Sequence, residues 1–312
     1  MNLFDGGNNV SRSAEVLAAI LDAANQTKEL TDLASDIELF VQEWGYSAVH
    51  LRGVHRESGL VVIIKVGTSE CENRWTCNLH SLAPGLVPKV YVTGSRLGRL
   101  EVHWLAMEAI PFGPLGPAWK GREFELLLDA GVRFYSVASR IRDSTLPETN
   151  LAEVTRWLQR SPAKDTLGPV NRLIGKVDAH WNYLLGKCRS EIAFDDFHLG
   201  NGMMRSSPPE GEAAVLIDIH PKYQPWILDV AYLQVLNSGG DKNRPGHRDL
   251  VPRMAAKREV AGLKSLNGDD LATVGRIALG WMAVRQWQPE RAERELVYRD
   301  TYEQFIVEAV GV

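Results

Sequence analysis

The sequence predicts an α+β chain of two lobes, a small antiparallel sheet carrying one helix followed by a mainly helical lobe. Between Ile37 and Ile110 apolar residues gather in short β-rich runs separated by turns containing Gly, Pro or Ser. Beyond the Pro/Gly stretch from Ile110 to Pro117 they recur instead at three- and four-residue steps. The length agrees, since 312 residues corresponds to two lobes at about 150 residues per domain.

Residues 1–36 open as a helical extension, with Ser11 or Ser13 as candidate N-caps. IELFVQE, VHLRGVH and LVVIIKV then read as an antiparallel meander broken by WGYSA and RESG. A helix follows over about Glu70 to Leu82, and LVPKVYVTG and LEVHWLAMEAI supply two more strands, which closes a first lobe at residue 110. In residues 111–312 the segments EFELLLDAGVRFYSVASRI, LAEVTRWLQR and PVNRLIGKVDAHWNYLLGK carry the helical period. GNGMMR and AAVLIDI flank the turn-rich RSSPPEGE and predict a short hairpin inside this lobe. The tail from Asp269 to Val312 returns to helix, and no internal repeat is present.

Composition narrows the function. No apolar run approaches the roughly 18 residues a membrane helix needs, so no membrane partner is expected. The net charge of −4, from 35 basic and 39 acidic residues, provides no global basic field for a phosphate backbone, so nucleic acid is not expected either. Cys71, Cys77 and Cys188 cannot all pair, and their spacing is not that of a zinc site; free buried thiols in a reducing cytoplasm are the expectation. The opening MNLFDGGNNVSRSAEVLAAILDAANQ lacks the cationic start and continuous apolar segment of a signal peptide, which also predicts a cytoplasmic protein. Oligomeric state is left open.

The informative stretch runs Phe194-Asp195-Asp196-Phe197-His198-Leu199-Gly200-Asn201, followed by the hairpin that ends Ile217-Asp218-Ile219. An Asp, an Asn five residues on and a further carboxylate at a strand end suit phosphoryl transfer from a nucleotide. One carboxylate faces the acceptor hydroxyl, while a carboxylate and an amide oxygen hold Mg²⁺ against the phosphates. Asp196, Asn201 and Asp218 fit these three tasks. The neighbouring Asp195 would exchange places with Asp196 if the register slipped by one, but the steps to His198 and Asn201 favour Asp196.

At these residues the chain resembles the aminoglycoside phosphotransferase family, which has the two-lobed protein-kinase-like fold. That family's catalytic loop reads H-G-D-x-H-x-x-N. Asp196, His198 and Asn201 match it, while Phe194 and Asp195 stand where the first His and the Gly would be. The resemblance implies that Asp196 orients or deprotonates the substrate hydroxyl and that Asn201 and Asp218 bind magnesium. It implies a structural role for Asp229 and loop support from His198. It further implies a nucleotide loop over Trp44 to Ala48, with Gly45 and Ser47, and a Lys on the third strand, Lys65, that neutralises phosphate charge. A Glu on the following helix would hold that Lys; Glu72 is the choice, because it shares the apolar face of Trp75 and Leu79, and Glu70 is the competitor. The adenine would meet a hinge at Met107, Glu108, Ala109 and Ile110. Met203, Met204, Trp181, Trp281 and Trp287 read as core or cleft wall.

The implied activity is an ATP- (or GTP-) and Mg²⁺-dependent O-phosphotransferase acting on a small-molecule hydroxyl. The implied acceptor is an antibiotic of aminoglycoside, nucleoside or sugar type, for resistance or self-protection. A primary-metabolism kinase for a sugar or amino alcohol and a non-catalytic kinase-like binding protein are the alternatives. Residues 111–312 hold as many basic as acidic groups, so the acidic excess that suits a polycationic aminoglycoside is missing. The segment Asp241 to Lys264, with Lys242, Arg244, His247, Arg248, Arg253, Lys257 and Arg258, is basic: either a solvated face, or a cleft lining that favours a neutral or anionic acceptor.

Overall fold

A computed structural model describes residues 13–40, 48–208, 213–238, 249–288 and 296–312. The chain forms two compact units, residues 1–111 and residues 112–312.

In the first unit, α1 (Ala14–Gln26) starts at Ser13, whose hydroxyl accepts the Val16 N–H at 3.3 Å, a cap contributing about 1 kcal/mol. Ser11 lies outside the described residues. After α2 (Lys28–Leu33) the chain enters β1 (Ala34–Leu39), so the helical extension ends at Leu33 rather than at residue 36. Its fourth residue, Ile37, joins the sheet core instead. With β2 (Val49–His55), β3 (Val61–Val66), β4 (Val90–Gly94) and β5 (Trp104–Glu108) it builds an antiparallel sheet in the order β1-β2-β3-β5-β4. The two-residue alternation of a strand divides the work of β3. Val62, Ile64 and Val66 point into a core with Val16, Ile20 and Leu30 of the N-terminal helices and with Leu51 and Trp104. Lys65 therefore points to the other face. There lies α3 (Glu70–Leu82), capped by Ser69 through the Glu72 N–H at 3.0 Å.

The second unit is mostly helix: α4 (Glu123–Ala138), α5 (Leu151–Arg160), α6 (Ala163–Thr166), α7 (Val170–Gly175), α8 (Val177–Lys187), α9 (Trp226–Ser238), α10 (Leu250–Val260), α11 (Gly268–Arg285) and α12 (Leu296–Val310). The periodic segment from Pro169 to Lys187 is two helices and not one; it breaks at Lys176, directly after Gly175, a poor helix former. The expected hairpin is present as β7 (Gly202–Met203) against β8 (Val215–Leu216). A second pair, β6 (Glu191–Ala193) with β9 (Lys222–Gln224), was not expected from the sequence and brackets that hairpin. Trp281 is fully buried with Trp181 at 6.1 Å, Trp287 and Met204 are buried as well, and Met203 is half-buried. Among the described residues no helix is long and apolar enough to cross a membrane. All three cysteines are free, and only Cys188 is buried; Cys71 and Cys77 are half-buried.

The basic segment is solved in part by this packing. Lys242, Arg244, His247 and Arg248 lie outside the described residues. Arg253 and Lys257 turn onto α4, where they pair with Glu125 and, for Lys257, Asp129. Arg258 is fully buried, held between the Tyr135 and Trp226 rings at 4.8 Å from each, and its Nη2 donates to Glu191 Oε2 at 3.0 Å.

Candidate active site

The β6 strand delivers the chain into residues 194–201, and a buried carboxylate fixes that loop from below. Asp229, in the first turn of α9 and fully buried, accepts the Phe194 N–H at 2.7 Å and the Asp195 N–H at 3.0 Å. It also accepts the Tyr135 hydroxyl at 2.8 Å and Gln224 Nε2 at 2.6 Å. Burial pushes the Asp229 carboxyl up to about 6 against the pull of these donors. Phe194, where the resemblance expects His, packs edge-on against Phe134 and Phe197, so its side chain is core while its amide serves the carboxylate. Asp195 sits at φ 71°, the left-handed region that Gly takes freely and Asp tolerates better than most residues. Its carboxylate turns to Lys222 Nζ at 2.9 Å. That leaves Asp196 as the carboxylate the loop presents, and it is about half exposed.

Three side chains hold Asp196. His198 Nδ1 accepts the Gly200 N–H at 3.0 Å, so the ring proton of the neutral imidazole belongs on Nε2, which faces Asp196 Oδ2 at 3.4 Å. A Cβ at Gly200 would lie 2.6 Å from the His198 ring, so glycine permits the approach. Tyr232, one turn beyond Asp229 on α9, donates to Asp196 Oδ1 at 3.1 Å. Asn201 Nδ2 donates to the Asp196 carbonyl at 2.9 Å and to its Oδ2 at 3.2 Å. Burial raises the Asp196 carboxyl, but His198, with the hydrogen bonds from Tyr232 and Asn201, outweighs it and holds the group below its ordinary value. Burial and the Asp196 charge push the Tyr232 hydroxyl up.

The hairpin places the remaining carboxylate. The Asn201 carbonyl accepts the Ile217 N–H at 3.0 Å, immediately before Asp218, which is half-buried at φ 55°. Asn201 turns its amide nitrogen to Asp196, so its Oδ1 is directed elsewhere. One amide oxygen and one carboxylate on adjacent backbones are the donor types Mg²⁺ accepts when phosphates and water complete its octahedron. Among the described residues no group of three His, Cys, Asp or Glu could hold a metal by itself.

In the first unit Lys65 Nζ donates to Glu72 Oε1 at 2.6 Å, and both side chains are 4% exposed. Glu70, the competitor, is exposed and lies 4.0 Å from Arg74. Met107 and Glu108 end β5 opposite Ile63 and Val62. The Glu108 and Ala109 N–H groups bond to the Lys89 and Val61 carbonyls, and Ile110 follows the end of β5. Gly45 and Ser47 lie outside the described residues.

Tyr232, Tyr135, Gln224, Lys222 and Arg285 were not identified from the sequence. Lys222 is buried, pairs with Asp195 and at 3.4 Å with Glu153, and lies 5.4 Å from the Trp157 ring centroid. Arg285 stacks over Trp157 at 4.5 Å and reaches Tyr232 at 5.8 Å. Beside them α5 and the end of α11 border an open pocket of about 470 Å³ lined by Arg156, Trp157, Arg160, Ser161 and Arg285, with Glu153 at its wall.

No family model and no curated protein sequence matches the chain. Solved structures do. A Ralstonia eutropha protein assigned as an aminoglycoside phosphotransferase has TM-score 0.58 at 12% identity, with 94% of this chain and 96% of that one covered. The Plasmodium vivax ethanolamine kinase has TM-score 0.56 at 10% identity, covering 98% and 90%. A microcompartment-associated aminopropanol kinase has TM-score 0.56 at 13% identity, covering 94% and 95%. The chain thus has the α+β, protein-kinase-like fold of these phosphotransferases and small-molecule kinases.

Proposed function

We propose that the chain is a nucleotide- and Mg²⁺-dependent O-phosphotransferase whose acceptor is a small-molecule alcohol. The observation that carries this reading is the loop geometry: Asp196 is presented at the surface by bonds from His198, Tyr232 and Asn201, with Asp218 fixed beside Asn201 by the hairpin. The buried Lys65–Glu72 pair supports it, since a cation on a strand and locked by a helix suits nucleotide phosphates. Asn201 and Asp218 would hold Mg²⁺, which when bound neutralises phosphate charge. The Ile110 amide would serve the adenine of ATP.

Asp196 receives the acceptor hydroxyl. The hydroxyl oxygen forms its bond to the γ-phosphorus as the bond from that phosphorus to the β,γ-bridging oxygen breaks and nucleoside diphosphate leaves. Because Asp196 is held below its ordinary value, it stays ionised at neutral pH and orients the hydroxyl first, taking the proton as the oxygen becomes acidic. The substitution at Phe194 does not favour a non-catalytic binding protein, because the residue's contribution to the loop is its amide and its packing.

Mg²⁺-dependent ATP binding and turnover on wild type and Asp196→Asn test the reading. Turnover on an acceptor panel is expected to fall about 100-fold or more in the variant while nucleotide affinity persists. Absence of Mg²⁺-dependent nucleotide binding in the wild type would overturn the proposal.

A further inference from the structure

The cavity between α5 and α11 has an unusual charge balance. Arg156, Arg160 and Arg285 line it, and among the described residues neither Arg156 nor Arg160 makes an ion pair. The two carboxylates nearby, Glu153 and Asp195, both reach the buried Lys222, which offsets one of their two charges and leaves one against the three guanidiniums. Arg285 approaches Asp195 only at 4.0 Å. The aromatic wall is also taken: Arg285 and Lys222 already lie by the Trp157 ring at 4.5 and 5.4 Å, where a quaternary ammonium guest would otherwise be held. Among the described residues, a cationic amine entering here would meet three guanidiniums and one carboxylate charge that Lys222 does not offset. An anion would meet planar donor forks suited to bidentate oxygen ligands. The cavity is also linked to Asp196 through Tyr232, whose ring lies 5.8 Å from Arg285 and whose hydroxyl donates to Asp196 at 3.1 Å.

We infer that this cavity binds the acceptor through an anionic group, a carboxylate or a phosphate, gripped by Arg156, Arg160 and Arg285. A hydroxyl on the same molecule would then reach Asp196. The inference rests on the phosphotransferase reading for the reaction, but not for the binding. It places the substrate among hydroxy acids or phosphorylated alcohols, and away from amino alcohols and polycationic antibiotics.

Two measurements on the full chain separate the claims. Calorimetric titration with gluconate and with glucose 6-phosphate, with and without Mg²⁺ and a non-hydrolysable ATP analogue, reads anion binding. Steady-state phosphorylation of these two, of glucose, choline and kanamycin, reads preference. At least one anionic probe is expected to bind, to be preferred over its neutral and cationic counterparts by 30-fold or more in kcat/KM, and to lose at least 30-fold in affinity and KM in Arg160→Glu. Nucleotide affinity should be unmoved. Arg156→Gln/Arg160→Gln, which adds no charge, should lose affinity in the same direction. The two arms identify carboxylate or phosphate as the group recognised. Failure of both anions to bind, binding indifferent to both variants, or preference for choline or kanamycin would overturn the inference. Loss of Mg²⁺-dependent nucleotide binding alone would instead overturn the phosphotransferase reading, with anion titration still deciding the cavity.

Discussion

Asp229→Asn changes one atom in the interior and tests how the catalytic loop is held. The carboxylate accepts two donors on each oxygen: Asp195 N–H and Gln224 Nε2 on Oδ1, Phe194 N–H and the Tyr135 hydroxyl on Oδ2. An Asn must turn its NH₂ to one side or the other. The Tyr135 hydroxyl can rotate to accept, but a backbone N–H cannot, and Gln224 is tied by its Oε1 to the Thr149 hydroxyl at 3.1 Å. Either orientation leaves one loop amide facing a donor, at a cost of about 1–3 kcal/mol. The pH dependence adds a sign. Burial raises Asp229 from 3.8 to about 6, so the folded chain holds this proton more tightly than the unfolded one. The stability this group contributes is complete below the unfolded value and is lost as pH rises through the folded one. About two pKa units at 1.36 kcal/mol each gives on the order of 3 kcal/mol, and Asn cannot titrate. Urea denaturation should therefore show the variant about 2 kcal/mol less stable at neutral pH, with the gap widening by up to about 3 kcal/mol toward pH 4. A variant within 0.5 kcal/mol of wild type at both pH values, or a gap that narrows on acidification, would refute this account of the loop.

Lys65→Met breaks an ion pair whose two side chains are each 4% exposed. It should cost about 3–5 kcal/mol in chemical denaturation and abolish nucleotide binding, whereas Lys65→Met/Glu72→Leu should recover most of the stability and none of the binding. His198→Ala removes the strongest of the groups that hold Asp196 down. The acid limb of kcat/KM should move to higher pH in this variant, and an unmoved limb would show that the imidazole does not set that carboxylate's charge.

How far the sequence discloses this molecule depends on the distance over which its contacts act. Lys65 and Glu72 were readable because strand and helix periods each fix a face and only seven residues separate them. That Asp196, Asn201 and Asp218 come together was readable because one loop and one hairpin carry them. Tyr232 meets Asp196 across 36 residues, and Tyr135 meets Asp229 across 94; neither has a local signature, since a tyrosine on a buried helix face is ordinarily core. Charge shows the same limit. The basic run after residue 240 was conspicuous, yet Arg253 and Lys257 are balanced by Glu125 and Asp129 about 128 residues earlier. The guanidiniums that define the cavity are inconspicuous singly, two on α5 and one at the end of α11, in a lobe whose summed charge is zero. Net charge is additive along the chain, whereas a site responds to the charges left unpaired in one place. In the pocket proposed for the acceptor the guanidiniums outnumber the carboxylate charge that Lys222 leaves over, and that balance exists only once β9, α5 and the catalytic loop have come together.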